Sequence, residues 1–337
     1  MAFIWIAALL LLSSTFNVLP GTEAIGVNYG MLGDNLPTPA QVVALYKSKN
    51  IRKLRLYNPD SGALQALQGS GIQVVLGTLN QDLQQLASTP SYATNWVATN
   101  VVPYAQSVNF SYINAGNEVI PGTLANYVYP AMQNLDSALQ AANLDIPVTT
   151  SVSTEVLGVS YPPSQGAFSQ TAGPIMAPIV SYLAKKQTPL LVNVYPYFAY
   201  SSDPENVKLD YALFTAQGVV VQDGSLGYNN LFDAIVDSTY SALEKAGQSN
   251  VEVVVSETGW PSSGGGNGAT IENAKTYNNN VLTHVEGGTG TPKRPGKEIE
   301  TYLFAMFNEN QKPAGTEQNF GLFHPDMTEV YPVDFTS

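Results

Sequence analysis

Two glutamates stand where a carboxylate needs a reason to be. The apolar run Tyr112-Ile-Asn-Ala-Gly-Asn-Glu118 closes on Asn117-Glu118, and Val253-Val-Val-Ser-Glu257-Thr-Gly-Trp-Pro-Ser262 carries Glu257 at the end of another such run. A carboxylate at the end of a buried strand costs several kcal/mol unless it is paired or hydrogen-bonded. A helix N-cap or a salt bridge would account for either residue alone; two in equivalent settings point to shared chemistry. Other chemistries lack material. There is no cysteine, hence no thiolate nucleophile, disulfide framework or thiolate zinc site, and His284 and His324 are the only histidines for a metal site or a Ser-His-Asp triad. A pair of carboxylates with neither metal ligands nor a cofactor motif suits cleavage of a glycosidic bond. One protonates the departing oxygen while the other meets the anomeric carbon.

Elements must bring these residues together. Eight short apolar, β-branched runs recur: Ile25 to Gly30, Ile51 to Tyr57, Ile72 to Thr78, Phe110 to Asn117, Ile146 to Val152, Leu190 to Tyr197, Val251 to Glu257 and Asn319 to His324. Between them the spacing predicts helices over Thr38 to Lys49, Tyr92 to Gln106, Tyr127 to Ala142, Asn229 to Ala246, Ile271 to Val285 and Glu298 to Gln311. Strands alternating with helices predict a parallel sheet, and near-continuous apolar stretches such as Val253-Val-Val255 predict strands buried on both faces. Eight units predict a single (β/α)8 barrel, with Phe214 to Gly227 as a small inserted hairpin and 25–337 as one catalytic domain. Active-site groups of such a barrel sit at the C-terminal strand ends, where Glu118 and Glu257 fall. Gly30-Met-Leu-Gly33 after the first strand is neither a P-loop nor a dinucleotide turn, so no nucleotide cofactor is expected. Tyr57, Tyr195, Phe198, Trp260, Phe320 and Phe323 flank strand ends, where aromatic faces either stack on sugar rings or pack the core.

Charge narrows the partners. Fourteen basic against 26 acidic residues leave a net charge of −12, which works against nucleic acid and anionic membranes. Residues 1–24 read as a signal peptide, with an apolar run from Phe3 to Leu12 and small residues before Ile25. That run is shorter than the ~20 residues of a membrane span. A secreted, extracellular monomer is expected. Asn109-Phe110-Ser111 is a glycan acceptor triplet.

Several stretches resemble the plant β-1,3-glucanases of glycoside hydrolase family 17. They are Ile25-Gly-Val-Asn-Tyr-Gly30, Arg55-Leu-Tyr-Asn-Pro59, Ala115-Gly-Asn-Glu118, Asn193-Val-Tyr-Pro-Tyr-Phe198, Val255-Ser-Glu-Thr-Gly-Trp-Pro261, Phe304-Ala-Met-Phe-Asn-Glu-Asn310 and Phe320-Gly-Leu-Phe323. The resemblance runs in order along the chain and implies a (β/α)8 enzyme that cleaves β-1,3-glucans internally with retention, without metal or cofactor, in the cell wall or, as a second compartment, the vacuole. It implies Glu118 as acid/base, Glu257 as nucleophile and Asn117 as the partner of the sugar 2-hydroxyl. It also implies that Glu300, Glu309 and Lys312 form a charged cluster supporting nucleophile and substrate. Tyr57, Tyr195, Phe198 and Phe323, spread over several strand ends, are expected to line an open cleft. Family members often carry Cys where Asn28 stands and an apolar residue where Asn114 stands; Asn28 is therefore expected to alter a substrate contact. Hydrolysis of 1,3-1,4-β-glucan, transglycosylation, and an inactive carbohydrate-binding wall protein are the alternatives.

Overall fold

The computed structural model describes residues 24–335, so all of the expected signal segment at 1–24 except Ala24 lies outside the described residues. Eight parallel strands close into a barrel: β1 Ile25–Tyr29, β2 Lys53–Leu56, β3 Gln73–Gly77, β4 Asn109–Asn117, β5 Val148–Ser153, β6 Leu190–Asn193, β7 Val253–Thr258 and β8 Thr301–Leu303. Each pairs with its sequence neighbour, and β8 pairs back onto β1. The fold is a (β/α)8 barrel.

Alternation along the strands makes two cores. Outward residues such as Val74, Leu76, Val253 and Val255 pack against the surrounding helices, while Val75, Leu191, Val254 and Tyr302 form a separate apolar plug inside the barrel. Above the plug the inward positions turn polar: Asn28, Arg55, Asn114, Ser151, Asn193 and Ser256, all buried. That layer is the floor of the site. The helices begin on identifiable caps. Asp60 accepts from Ala63 N at 2.7 Å ahead of Ser61–Leu67, Asn230 from Asp233 N at 2.8 Å ahead of Leu231–Lys245, and Thr270 from Asn273 N at 3.2 Å ahead of Ile271–Glu286.

The eighth strand is not where the sequence pattern placed it. The stretch from Ile299 to Phe307, read as part of a helix over Glu298 to Gln311, supplies β8 and then continues as an irregular buried segment. The periodicity misleads because Thr301, Tyr302 and Leu303 are all fully buried, as a strand between two cores must be, and a continuous apolar run fits a buried helix equally well. Asn319 to His324 instead lies beside that segment above the barrel; Ala305 N bonds Phe320 O at 3.1 Å and Leu322 N bonds Ala305 O at 2.8 Å.

The inserted hairpin exists, with strands Val221–Asp223 and Leu226–Tyr228. Two further two-stranded additions carry no clear sequence signal: Leu157–Val159 with Ala167–Phe168, and Gly290–Thr291 with Arg294–Pro295.

Candidate active site

Both glutamates are delivered by bulged strands. In β7 the register against β6 slips between Val255 and Glu257, and in β4 the register against β5 slips between Asn114 and Asn117. An extra residue turns a side chain that would have pointed into the wall toward the barrel mouth. In β4 the backbone needed for this includes Gly116 at φ 79° and Glu118 itself at φ 55°, a left-handed conformation costly for a non-glycine residue. Two contacts hold it there. Glu118 N donates to Ser151 O at 3.0 Å, and Asn80 clasps the Asn117 backbone, donating to its carbonyl and accepting from its N–H, both at 2.8 Å.

Glu118 and Glu257 face one open cleft of about 1700 Å³, with Asn117, Tyr57, Tyr195 and Phe198 on its walls. Their surroundings differ. Glu257 is buried: its Oε1 accepts from Arg55 Nη1 and its Oε2 from the Tyr195 hydroxyl, at 2.8 and 2.7 Å. Glu118 reaches into the cleft and is solvent-accessible, yet the enclosing walls thin its hydration. That confinement, and next the negative charge of Glu257, push its carboxyl above the ordinary carboxylate range; an amide bond from Asn193 Nδ2 at 2.8 Å partly opposes the rise. One carboxyl is biased to keep its proton while the other is given a counter-charge, which is the division a double displacement requires.

Arg55 organises this floor. Fully buried on β2, it crosses the barrel and donates to Glu257 Oε1 and Ser256 O through Nη1, at 2.8 and 3.0 Å. Through Nη2 it donates to Asn117 Oδ1 and Ser151 Oγ, at 2.8 and 3.0 Å. Asn117 Oδ1 also accepts from Asn193 Nδ2 at 3.1 Å, so the Asn117 amide hydrogens are the part of that side chain left to meet a ligand. The Tyr57 ring lies 4.6 Å from the Arg55 guanidinium carbon. Burial, and then the charge of Glu257, hold the phenols of Tyr57 and Tyr195 well above their usual range, so Tyr195 remains a donor.

Of the other expected site residues, Glu309 and Lys312 do border the cleft. Glu309 is buried and accepts from Leu32 N at 2.8 Å, its carboxylate packed so tightly on Gly30 that a Cβ there would overlap it. Burial raises its carboxyl and the nearby Lys312 pulls against that rise. Lys312 sits 3.9 Å from Glu309 and 4.2 Å from the Phe304 ring centroid; the cation that pairs with Glu257 is Arg55.

Three expectations are corrected. Glu300 precedes β8 at the N-terminal end of the barrel, where it pairs with Lys53 at 3.0 Å at the start of β2 and accepts from the Tyr302 hydroxyl. The plug of Val75, Leu191, Val254 and Tyr302 separates it from the mouth. Phe323 is a core ring against Phe307, and Phe304 and Phe320 line the cleft instead. Asn28 is fully buried in the floor, its Nδ2 donating to Leu303 O at 3.2 Å, beneath any substrate contact. Trp260 is buried against Tyr197, Tyr200 and Tyr277, bracing the loop after β7.

Arg55, Asn193 and Asn80 escaped sequence reasoning, although Arg55 and Asn193 lie within the stretches that carried the resemblance. A charged residue inside an otherwise apolar run, Lys53-Leu-Arg-Leu56, was the available signal for Arg55.

The family profile described as Glycosyl hydrolases family 17 matches residues 25–335, nearly the whole chain. The chain belongs to this family. It is 54% identical to a glucan endo-1,3-beta-glucosidase of Vitis vinifera over 94% of this chain and 93% of that one. It is 51% identical to lichenase-2 of Hordeum vulgare, covering 94% of this chain and 100% of that one. Among solved structures, a β-1,3-glucanase and pollen allergen of Cryptomeria japonica superposes with a TM-score of 0.90 at 47% identity, covering 93% of this chain and 99% of that one. As a family 17 member the protein is a glycoside hydrolase.

Proposed function

We propose that this glycoside hydrolase cuts internal β-1,3-glucosidic bonds by double displacement, with Glu257 as nucleophile and Glu118 as acid/base. The observation that carries the reading is the opposed setting of the two carboxyls: Glu257 held by Arg55 and Tyr195, Glu118 confined beside it with its carboxyl raised above the ordinary range. In the first step Glu257 bonds to the anomeric carbon, the glycosidic bond breaks, and the Glu118 proton passes to the leaving oxygen. Formation of the ester removes the negative charge of Glu257, and with it one cause of the raised Glu118 carboxyl. Glu118 then takes a proton from water as that water attacks the anomeric carbon and releases Glu257. The amide hydrogens of Asn117 are available to the 2-hydroxyl. A cleft of about 1700 Å³, well above the ~300–1,000 Å³ of an ordinary small-molecule pocket, favours several sugar units bound at once and therefore endo cleavage.

The 51% identity to lichenase-2 favours a second substrate, 1,3-1,4-β-glucan, since the same carboxyls would serve both reactions. Product chain length over time on laminarin and on lichenan separates the two. Early oligosaccharides from laminarin with a steep fall in polymer length support the first reading; rapid attack on lichenan alone overturns it, and release of glucose only would indicate an exo enzyme. Secretion is part of the proposal, carried by the segment from Phe3 to Ala24. Amino-terminal sequencing of protein from a eukaryotic host should start near Ile25, and an intact Met1 on soluble protein would reject it.

A further inference from the structure

The guanidinium of Arg55 is one donor short of complete. Its Nη groups donate to Glu257, Ser256, Asn117 and Ser151, with a longer contact from Nη1 to Asn193 Oδ1 at 3.5 Å, but its buried Nε–H has no hydrogen-bond partner. On one side Arg55 is level with Val75 of β3, which offers nothing polar. On the other it is level with Asn28 of β1. The Asn28 amide is fixed by Nδ2 donating to Leu303 O, and its Oδ1 is itself buried and unpartnered. An orphan donor and an orphan acceptor thus sit on laterally paired inward residues of the same layer, both fully buried. Buried polar groups are rarely left in that condition, and a small side-chain adjustment or a single ordered water would satisfy both.

We propose that Asn28 is a positioning residue for the reaction: its Oδ1 takes the Nε–H of Arg55 and so fixes the plane in which the guanidinium presents Nη1 to Glu257 and Nη2 to Asn117. The inference rests on Glu257 as the nucleophile. It explains a polar residue at a position where nothing polar is needed for packing, and it gives Asn28 a part in catalysis without contact to substrate. Asn28 holds Arg55, and Arg55 holds the two groups that meet the sugar.

Two substitutions isolate the acceptor. Asn28→Ala and Asn28→Ser both remove the amide, but only serine keeps an oxygen that can accept. Asn28→Ala is expected to lower kcat on laminarin about tenfold, the worth of one ordinary hydrogen bond, with KM within about twofold, and Asn28→Ser to recover most of the loss. Equal impairment of both variants, or an unchanged kcat in folded Asn28→Ala, overturns the proposal. A second measurement does not depend on activity. The chain has three arginines, Arg52, Arg55 and Arg294, so the Arg55 Nε–H can be assigned by NMR from its absence in Arg55→Lys. In the wild type and in Asn28→Ser it should exchange slowly with solvent, and in Asn28→Ala fast. Rapid exchange in the wild type, or protection that survives Asn28→Ala, rejects the pair; should the alanine variant not fold, the wild-type and serine proteins decide. Glu257→Ala tests the underlying reading separately: activity there would remove Glu257 as nucleophile, while the Nε–H exchange would still judge the contact between Asn28 and Arg55.

Discussion

Replacing Arg55 by methionine, similar in length but uncharged, should damage the enzyme through Glu257. In the native protein the Arg55 side chain is 0% and the Glu257 side chain 8% exposed, and their contact is 2.8 Å. Removing one partner of a buried pair typically costs ~3–5 kcal/mol, because the other charge is left without compensation. Here Asn117, Ser151 and the Ser256 carbonyl also lose their donor, which supports the upper half of that range. At 1.36 kcal/mol per tenfold, 3 kcal/mol expressed in the glycosylation transition state lowers kcat by ~10²-fold or more. The remainder should appear as lost stability, about 1.5 °C in Tm for each kcal/mol in a domain of this size. Arg55→Lys keeps the charge but cannot reproduce the planar fork, and should fall between the two proteins. Initial rates of reducing-end release from laminarin, with kcat and KM separated, together with thermal unfolding, read both parts. If Arg55→Met kept kcat within threefold and its Tm unchanged, Glu257 would not depend on Arg55 and the electrostatic account of the site would fail.

Other outcomes follow from the same geometry. Because the proposed first step needs Glu118 protonated and its carboxyl is raised, the alkaline limb of kcat/KM should lie above the ordinary carboxylate range; Asn193→Ala, which removes a donor to the ionised form, should move that limb higher. Glu257→Gln deletes the neighbouring negative charge and should bring the Glu118 titration down, read by carbon-13 NMR of the carboxyl; no movement would discard the charge coupling. Burial pushes the Asp237 carboxyl up to about 6, where it accepts from the Tyr228 hydroxyl and Lys293 N, both at 2.9 Å. The folded state therefore binds this proton more tightly than the unfolded chain, and stability should grow by up to about 3 kcal/mol as pH falls from above 6 to below 4. The Tm difference, Asp237→Asn minus wild type, should accordingly be more positive at pH 7.5 than at pH 4, and a constant difference would refute it. Glu300→Gln should lower Tm through the lost Lys53 pair and leave KM on laminarin unchanged, whereas a raised KM would return Glu300 to the substrate site.

The sequence by itself determined the class of fold and singled out the candidate pair of carboxyls. Runs such as Gln73-Val-Val-Leu-Gly77 and Val253-Val-Val255, buried on both faces, have few stable arrangements other than a helix-covered parallel sheet, and eight of them close into a barrel. A glutamate ending such a run must lie at the rim, which is why Glu118 and Glu257 were legible from local pattern. Height within the barrel and direction of side chains were not. Whether Ile299 to Phe307 is helix or strand depends on both its faces being covered, a tertiary condition; once it forms β8, Glu300 is carried to the far end of the barrel and Phe323 into the core. Arg55 belongs to a strand more than two hundred residues from Glu257, and only barrel closure places its guanidinium against β7. Bulges in β4 and β7 then set which side chains face the mouth, since a one-residue shift in a strand moves a side chain to the opposite face.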